Sequence, residues 1–267
     1  MRKAFINSLP KSGTNLLAKC LLLFGYTEKG HLSTGTILDS RPAAIFRRLF
    51  WRTRGQGYSL GVNSPIEVRR RPVDAMLRRV RENEFVSAHV GYRRDLLDTV
   101  LEQGFVPIQV IRDPRAVLAS FVPYVVGDKN HFLNPLFTSL TPEARYAAML
   151  DGIERDGQIQ RPLRTCCLAL APWIENDRVY TVRFEDIVGE KGGGSDARRQ
   201  EVLGEIAERL AIPNPDIQRV SEELYGPGRH TFRKGKVDTW KDEIPPALLP
   251  RVESELGDIL EKWGYGE

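Results

Sequence analysis

Apolar runs of strand length alternate along this chain with amphipathic stretches of helix length. KAFINSL, residues 3–9, has the pattern of a buried strand, and it is followed by a turn at 10–14. A helix is predicted from Asn15 to about Phe24, where the apolar residues share one face. Further strands are predicted at 84–89, 105–111 and 178–184. Strands that alternate with helices predict a mainly parallel sheet covered on both faces.

The second half of the chain is predicted to be largely helical. Helical patterns lie at 142–156, 197–210, 214–224 and 246–263. Two stretches interrupt the alternation: about 30–72, which is read as a lid or insertion, and 189–196, which has the composition of a flexible surface connection. The predicted architecture is an α/β three-layer sandwich in one domain, 1–267, with a C-terminal helical region from about 197.

Composition agrees with one large domain and narrows the class of ligand. The 267 residues are 41% hydrophobic, which is enough for a substantial core. The net charge of +4 favours a polyanionic ligand over extensive nucleic-acid binding. Cys20, Cys166 and Cys167 lack metal-ligand spacing, so we expect reduced thiols and no metal. No apolar run approaches the roughly 20 residues that span a bilayer, and we expect a cytoplasmic protein.

The turn after the first strand has the character of a phosphate-binding loop, but with its lysine in an unusual place. In the common GxxxxGK[ST] loop the lysine follows the second glycine, whereas here Lys11 precedes Gly13. Backbone amides from Ser12 to Asn15 can converge on an anion at a helix N-terminus, and Thr14 adds a hydroxyl. Lys11 then approaches from the strand side, where it can reach a bridging oxygen. The alternative is an ordinary strand-to-helix turn with an exposed lysine.

A second candidate anion ligand follows the strand at 105–111. IRDPRAVLAS, residues 111–120, places Arg112 just beyond that strand, at the edge where open α/β sheets bind ligands. Ser120 lies eight residues later, about two helical turns along the next helix. The alternative is that Arg112 pairs with Asp113 or another carboxylate.

A third candidate lies near the C-terminus, in FRKGKVDTWK, residues 232–241. Arg233, Lys234 and Gly235 offer two cations and a glycine amide, which suit a phosphomonoester. The alternative is a solvated basic loop.

In this order the three stretches resemble motifs of the PAPS-dependent sulfotransferases, which use 3′-phosphoadenosine 5′-phosphosulfate (PAPS). PKSGT resembles the 5′-phosphosulfate loop, RDPRAVLAS resembles the 3′-phosphate motif RNPKDVAVS, and RKGKVDTWK is similar to the C-terminal RKGxxGDWK segment. FVSAHVGYRRDLL, residues 85–97, resembles the stretch with the catalytic histidine, and RFEDI, residues 183–187, resembles YED. These segments span most of the chain.

The resemblance implies transfer of a sulfuryl group from PAPS to a hydroxyl of a small-molecule, lipid or carbohydrate acceptor, with an amine as the less favoured alternative. Adenosine 3′,5′-bisphosphate (PAP) is the other product. Lys11 is the expected cation at the leaving oxygen, where negative charge accumulates. His89 is the expected general base, since imidazole titrates near physiological pH. His31, His131 and His230 are read as structural.

The resemblance also assigns the nucleotide site. The loop Lys11, Ser12, Gly13, Thr14 and Asn15 would hold the 5′ end. The 3′-phosphate would be held by a set drawn from two motifs, Arg112, Ser120, Arg233, Lys234 and Gly235. Phe184 takes the place of the family's tyrosine near the adenine and lacks its hydroxyl, and Leu16 stands where many members have a tryptophan. Adenine placement is therefore the least determined part of the site.

Two aromatic stretches are candidates for the acceptor side. AAIFRRLFWR, residues 43–52, predicts an amphipathic helix that is suited to a lid, to an interfacial helix in peripheral membrane contact, or to a surface helix packed on the core. The aromatic residues at 121–137 can form a pocket wall or part of the core. The acceptor's identity and the oligomeric state do not follow from the sequence.

Two other functions are weighed against this one. A P-loop nucleotide kinase would need its lysine directly after the loop glycine, where Thr14 stands. A non-catalytic protein that binds adenosine bisphosphate would keep Arg112 and Arg233 but could lack Lys11 and His89, and both are present.

Overall fold

The computed structural model describes residues 1–38, 42–53, 55–226 and 235–266. Its strands are β1 (Lys3–Ser8), β2 (Thr27–Leu32), β3 (Tyr58–Leu60), β4 (Ile66–Val68), β5 (Glu84–Ala88), β6 (Phe105–Ile111), β7 (Ile153–Arg155), β8 (Gln158–Gln160) and β9 (Tyr180–Arg183). Its α-helices are α1 (Thr14–Leu23), α2 (Thr34–Leu38), α3 (Pro42–Phe50), α4 (Arg70–Arg78), α5 (Arg94–Glu102), α6 (Pro114–Gly127), α7 (Asn134–Ser139), α8 (Pro142–Asp151), α9 (Leu163–Ile174), α10 (Phe184–Ile187), α11 (Asp196–Arg209), α12 (Ile217–Leu224), α13 (Trp240–Glu243) and α14 (Leu249–Lys262).

A parallel sheet forms the centre of the molecule. Within the described residues it has five strands in the order β2-β5-β1-β6-β9, and every pairing is parallel. β1, β5, β6 and β9 are the predicted strands, so the mainly parallel sheet is confirmed. The sequence did not predict β2, because TEKGHL is largely polar and exposes every second residue at the edge of the sheet.

Helices cover both faces of this sheet. Successive residues of β1 point to opposite sides, so that Phe5 joins one apolar cluster while Ala4 and Ile6 join another. The cluster around Phe5 includes residues of α4, α5, α6, α8, α9 and α14, and the other includes residues of α1, α11 and α12. This arrangement confirms the predicted three-layer α/β sandwich.

Two predicted elements differ in extent from the observed ones. The helix predicted at 142–156 ends at Asp151, because Gly152 adopts a φ of 80° and the chain turns into the β7–β8 hairpin. The predicted insertion at 30–72 begins inside β2 and contains α2, α3 and the β3–β4 hairpin. Its role as a lid stays a prediction, as does the single domain over 1–267.

The strand order places the candidate site residues at one edge of the sheet. β1 lies between β5 and β6, and the strand order runs outward from β1 to both sides of the sheet. The connections on the two sides therefore diverge, and a crevice opens at the carboxyl ends of these strands. The candidate loop follows Ser8, and His89, Arg112 and Phe184 each come directly after a strand of this sheet. No helix in the described ranges is long and apolar enough to cross a membrane.

Candidate active site

The loop after β1 makes a tight turn into a helix N-terminus. Gly13 has a φ of 107° and is the N-cap of α1, and Lys11 has a φ of 75°. A left-handed conformation is uncommon for a residue with a side chain and must be held by its surroundings. The amide of Ser12 donates to the carbonyl of Leu9 at 3.1 Å, which closes the turn. The first amides of α1 lack intrahelical partners and are suited to an anion.

Arg112 joins this loop to a distant segment of the chain. The guanidinium is buried, and it donates from Nη1 to the carbonyl of Lys11 at 3.2 Å and from Nη2 to the carbonyl of Lys236 at 2.8 Å. The carboxylate of Asp113 is held by Arg115 instead, at 2.9 Å. Arg112 therefore brings the first and third candidate motifs together, and the bond to Lys11 fixes the strained part of the loop.

Phe184 fills the space between the loop and Arg112. The centre of its ring lies 4.3 Å from the guanidinium carbon of Arg112. A Cβ atom placed on Gly13 would lie 2.8 Å from ring atom Cδ2 of Phe184, which is closer than real Cβ atoms approach. Position 13 thus requires glycine both for its backbone conformation and for the room that the ring takes.

The glycine-rich stretch at 189–196 lies largely at the surface, as expected of a connection, but it also packs against the C-terminal motif. The amide of Val237 donates to the carbonyl of Gly192 at 2.8 Å. A Cβ on Gly192 would lie 2.7 Å from the carbonyl oxygen of Gly235, which itself has a φ of 59°. The stretch therefore supports the segment that bonds Arg112. Arg233 and Lys234, which were predicted to act beside Gly235, lie outside the described residues, as does His230.

His89 stands at the same edge, directly after β5, and is half-buried. Its Nδ1 lies 2.9 Å from the carbonyl oxygen of Ser8. Because a carbonyl can only accept, Nδ1 carries the proton and Nε2 keeps its lone pair. Burial and the neighbouring His31 lower the pKa of His89 to about 3. The ring is therefore neutral at physiological pH, as a proton acceptor must be.

Ser8 connects the histidine to the loop, a role that the sequence analysis missed. Its hydroxyl lies 3.2 Å from Nδ1 of His89 and forms a short hydrogen bond with the buried hydroxyl of Thr14. The carbonyl and the hydroxyl of Ser8 thus both hold the His89 ring in one orientation relative to the first turn of α1. Its place as the last residue of β1 is the signal that could have identified it.

His31 lies beside His89 and belongs to an ordered polar chain. The two imidazole centroids are 5.0 Å apart and nearly perpendicular. Nδ1 of His31 is 2.8 Å from the hydroxyl of Ser87, which donates to a carboxylate oxygen of Glu28 at 2.6 Å. The sequence had grouped His31 with the structural histidines. Its position at the rim of the site depends on the edge strand β2, which the sequence did not predict.

The ammonium of Lys11 lies over an aromatic ring of α6. Its Nζ is 4.4 Å from the centre of Tyr124, within the range of a cation–π contact. Tyr124 belongs to an aromatic cluster with Phe121, His131 and Phe132. Burial raises the pKa of Tyr124, so the ring is neutral. The aromatic stretch at 121–137 is therefore adjacent to the lysine of the loop.

A small cavity of about 10 Å³ opens beside the loop. It is lined mainly by apolar residues, with two amides, and the lining includes Leu9, Pro10, Val117, Phe121, Asn63 and Gln160. The two amides are bonded to each other at 3.0 Å. A cavity of this size holds one water or a methyl-sized group.

Of the other predicted site residues, Asn15 is exposed on the first turn of α1 and Ser120 is half-buried on α6. Glu185, next to Phe184, accepts from the amide of Asp113 at 3.2 Å and from the hydroxyl of Tyr265 at 2.7 Å. It therefore holds the turn that carries Arg112. Within the described ranges, no group of three or more His, Cys, Asp or Glu residues could hold a metal ion.

Comparison with solved structures identifies relatives of the fold. The chain superimposes on the crystal structure of mouse sulfotransferase SULT7A1 complexed with PAP, with a TM-score of 0.61 and 18% identity, over 97% of this chain and 85% of that one. It also matches sulfotransferase STF9 from Mycobacterium avium, with a TM-score of 0.45 and 11% identity, over 98% of this chain and 76% of that one. No protein-family profile and no curated protein sequence matches the chain. At these identities the likeness concerns the fold.

Proposed function

We propose that this chain, which has the sulfotransferase fold, is a PAPS-dependent sulfotransferase. The observation that carries the proposal is the pair of hydrogen bonds that the Arg112 guanidinium donates, one to the carbonyl of Lys11 and one to that of Lys236. Two motifs more than 200 residues apart in the sequence meet through this one side chain.

The donors around the loop fit a nucleotide with phosphates at both ends. The amides of Gly13, Thr14 and Asn15 would hold the 5′-phosphate, whereas the amide of Ser12, also expected there, donates to Leu9 within the loop. Arg112, Ser120 and Gly235 would hold the 3′-phosphate together with Arg233 and Lys234. Carbonyl partners leave the charge of the Arg112 guanidinium in place, so it can still attract a phosphate. Phe184 contacts Arg112 and Gly13, and we propose that its ring forms the floor of the nucleotide site.

His89 and Lys11 would carry the chemistry. Nε2 of His89 takes the proton of the acceptor hydroxyl as the new oxygen–sulfur bond forms. The bond between sulfur and the bridging oxygen breaks, and its electron pair stays on the 5′-phosphate. The Lys11 ammonium would stabilise that developing charge. Ser8 keeps the imidazole in the required tautomer, and Tyr124 holds the ammonium from one side.

The acceptor would be a small molecule, lipid or carbohydrate with a free hydroxyl. The aromatic cluster around Tyr124 and the mainly apolar cavity beside Leu9 and Pro10 support an acceptor with an apolar part near its reacting group. In the conformation described, the cavity admits only a small substituent, so a larger acceptor would lie outside it.

Two substitutions of His89 test the assignment of the base. His89→Asn keeps an amide N–H at the position of Nδ1 and so keeps the bond to Ser8, but it removes Nε2. We expect transfer of labelled sulfate from PAPS to fall about 10²–10⁴-fold, with PAP affinity by calorimetry changed less than about threefold. His89→Gln, which places its amide near Nε2, is the matched variant and should be equally inactive. Full activity in His89→Asn would remove His89 as the base.

The same two measurements, sulfate transfer and PAP binding, distinguish a sulfotransferase from a non-catalytic nucleotide-binding protein. Lys11→Met should abolish transfer while PAP still binds, because the loop amides remain. A wild-type protein that binds PAP tightly but transfers no sulfate to any acceptor in a broad extract would favour the binding protein. Tight binding of ATP with magnesium, and weak binding of PAP, would favour a nucleotide kinase.

A further inference from the structure

We propose that α3 docks this protein onto the surface of an anionic lipid bilayer. Its large apolar side chains point away from the protein: Ile45 is 47% exposed, Phe46 57%, Leu49 71% and Phe50 53%. Among all the described residues, these four make up most of the large hydrophobic side chains that are exposed. Such a concentration on one helix is unusual for a surface that faces only water.

The four side chains form one continuous apolar face. Positions 45, 46, 49 and 50 have the spacing i, i+1, i+4 and i+5, which falls on one side of a helix. The rings of Phe46 and Phe50 are in contact, with centroids 4.4 Å apart. Ala44, at 2% exposure, points the other way and packs on the protein. The helix therefore lies flat on the molecule with its apolar face outward.

Arginines border this face. Arg69 donates to the carbonyl of Phe50 at 3.1 Å, Arg47 stacks on Trp51 at 5.5 Å, and Arg52 is exposed just beyond the helix. Between residues 42 and 66 the sequence contains no aspartate or glutamate. An apolar face bordered by cations is the pattern of a helix that lies in the interface of a membrane and attracts anionic headgroups.

The helix is held firmly to the rest of the protein. Nη2 of Arg48 donates to the carbonyl of Leu38 at 2.9 Å, at the end of α2. At the other end of α3, the amide of Arg69 donates to the carbonyl of Trp51 at 2.7 Å. The apolar face is thus presented in one orientation, and docking needs no rearrangement of the backbone.

Charge favours a lipid surface over a second copy of the chain. Two copies that met face to face through α3 would bring their arginines together without intervening carboxylates, which is unfavourable. An anionic bilayer supplies the opposite charge and an apolar layer at the depth that the phenylalanines reach. The inference does not depend on the proposed activity.

Vesicle binding tests the proposal with the intact protein. Co-sedimentation with phosphatidylcholine vesicles is compared with vesicles that also contain phosphatidylglycerol. We expect clear binding to the mixed vesicles and at least about tenfold weaker binding to phosphatidylcholine alone. Leu49→Ser with Phe46→Ser should lower binding to mixed vesicles by at least about tenfold, because two apolar side chains that would insert into the bilayer are lost. Arg52→Gln should lower it severalfold and weaken its dependence on salt.

A matched control and a measurement without substitution complete the test. Leu168, on α9, is 49% exposed and lies on another element, so Leu168→Ser should leave vesicle binding unchanged. In the wild-type protein, brominated lipid in the bilayer should quench the fluorescence of Trp51, which is half-buried beside α3. The fluorescence of Trp173, Trp240 and Trp263 should not be quenched, because these side chains are buried.

Three results would overturn the proposal. The first is a wild-type protein that does not bind mixed vesicles and shows no quenching. The second is an equal loss of binding in Leu168→Ser. The third is a dimer in sedimentation equilibrium that Leu49→Ser dissociates, which would make a second copy the partner of this surface.

Discussion

Replacing Arg112 by glutamine should separate the two segments between which we propose that the nucleotide binds. The guanidinium makes two charge-assisted hydrogen bonds, to the carbonyls of Lys11 and Lys236, and packs on Phe184. The shorter glutamine amide cannot reach both carbonyls. The left-handed conformation of Lys11 would lose the contact that holds it, and the loop would relax.

The size of the effect follows from these contacts. A hydrogen bond to a charged group is worth about 1.5–3 kcal/mol, so the loss of two lowers the free energy of unfolding by about 3 kcal/mol at the lower end. If the nucleotide binds between the same two segments, a loss of the same size corresponds to roughly 100-fold weaker PAP binding. Arg112→Lys keeps the charge but cannot donate to both carbonyls at once. Its free energy of unfolding and its PAP affinity should lie between those of Arg112→Gln and wild type.

Urea unfolding and calorimetry with PAP measure the two quantities. Arg209→Gln is the control, because Arg209 also stacks on a ring, that of Tyr180 at 4.2 Å, but is exposed on α11. It should change the free energy of unfolding by less than about 1 kcal/mol and PAP affinity not at all. PAP binding by folded Arg112→Gln within twofold of wild type would show that Arg112 does not hold the nucleotide.

Two further predictions concern the loop and the histidine. Gly13→Ala should destabilise the protein by at least about 1 kcal/mol more than Gly25→Ala. Both positions have positive φ, but only the Cβ at position 13 would clash with a ring, that of Phe184. Equal losses in the free energy of unfolding, measured with urea, would refute the contact. His31→Leu should raise the pKa of His89, because His31 is one of the causes that lower it, and so move the acidic limb of kcat/KM to higher pH. An acidic limb that stays in place would show that His31 does not act on His89.

The sequence was most informative where strands are buried on both faces. β1, β5 and β6 are almost entirely buried, so their apolar runs stood out and located the sheet correctly. β2 lies at the edge and exposes alternate polar residues, so it had no such signature. The helix predicted through position 156 failed because Gly152 was not recognised as its end.

The candidate site shows the same division. Lys11 and Arg112 were predicted as site residues because each follows a predicted strand, and His89 because its segment resembles the family stretch with the catalytic histidine; the structure brings all three to the same end of the sheet. The contacts of Arg112 with Lys236 and of His89 with Ser8 were not found, because both end on backbone carbonyls, which every residue type possesses. The packing of the glycine-rich stretch at 189–196 against the C-terminal motif was not predicted, since a close backbone contact and a flexible loop both favour glycine.

The contact between Gly13 and Phe184 links two positions that are far apart in the gene. A larger residue at 13 meets the ring, and a smaller residue at 184 opens a void against the start of α1. Neither position can therefore change alone without a loss in fitness if the loop is under selection. In descendants of this sequence we expect the two to be inherited as a pair, or to change together.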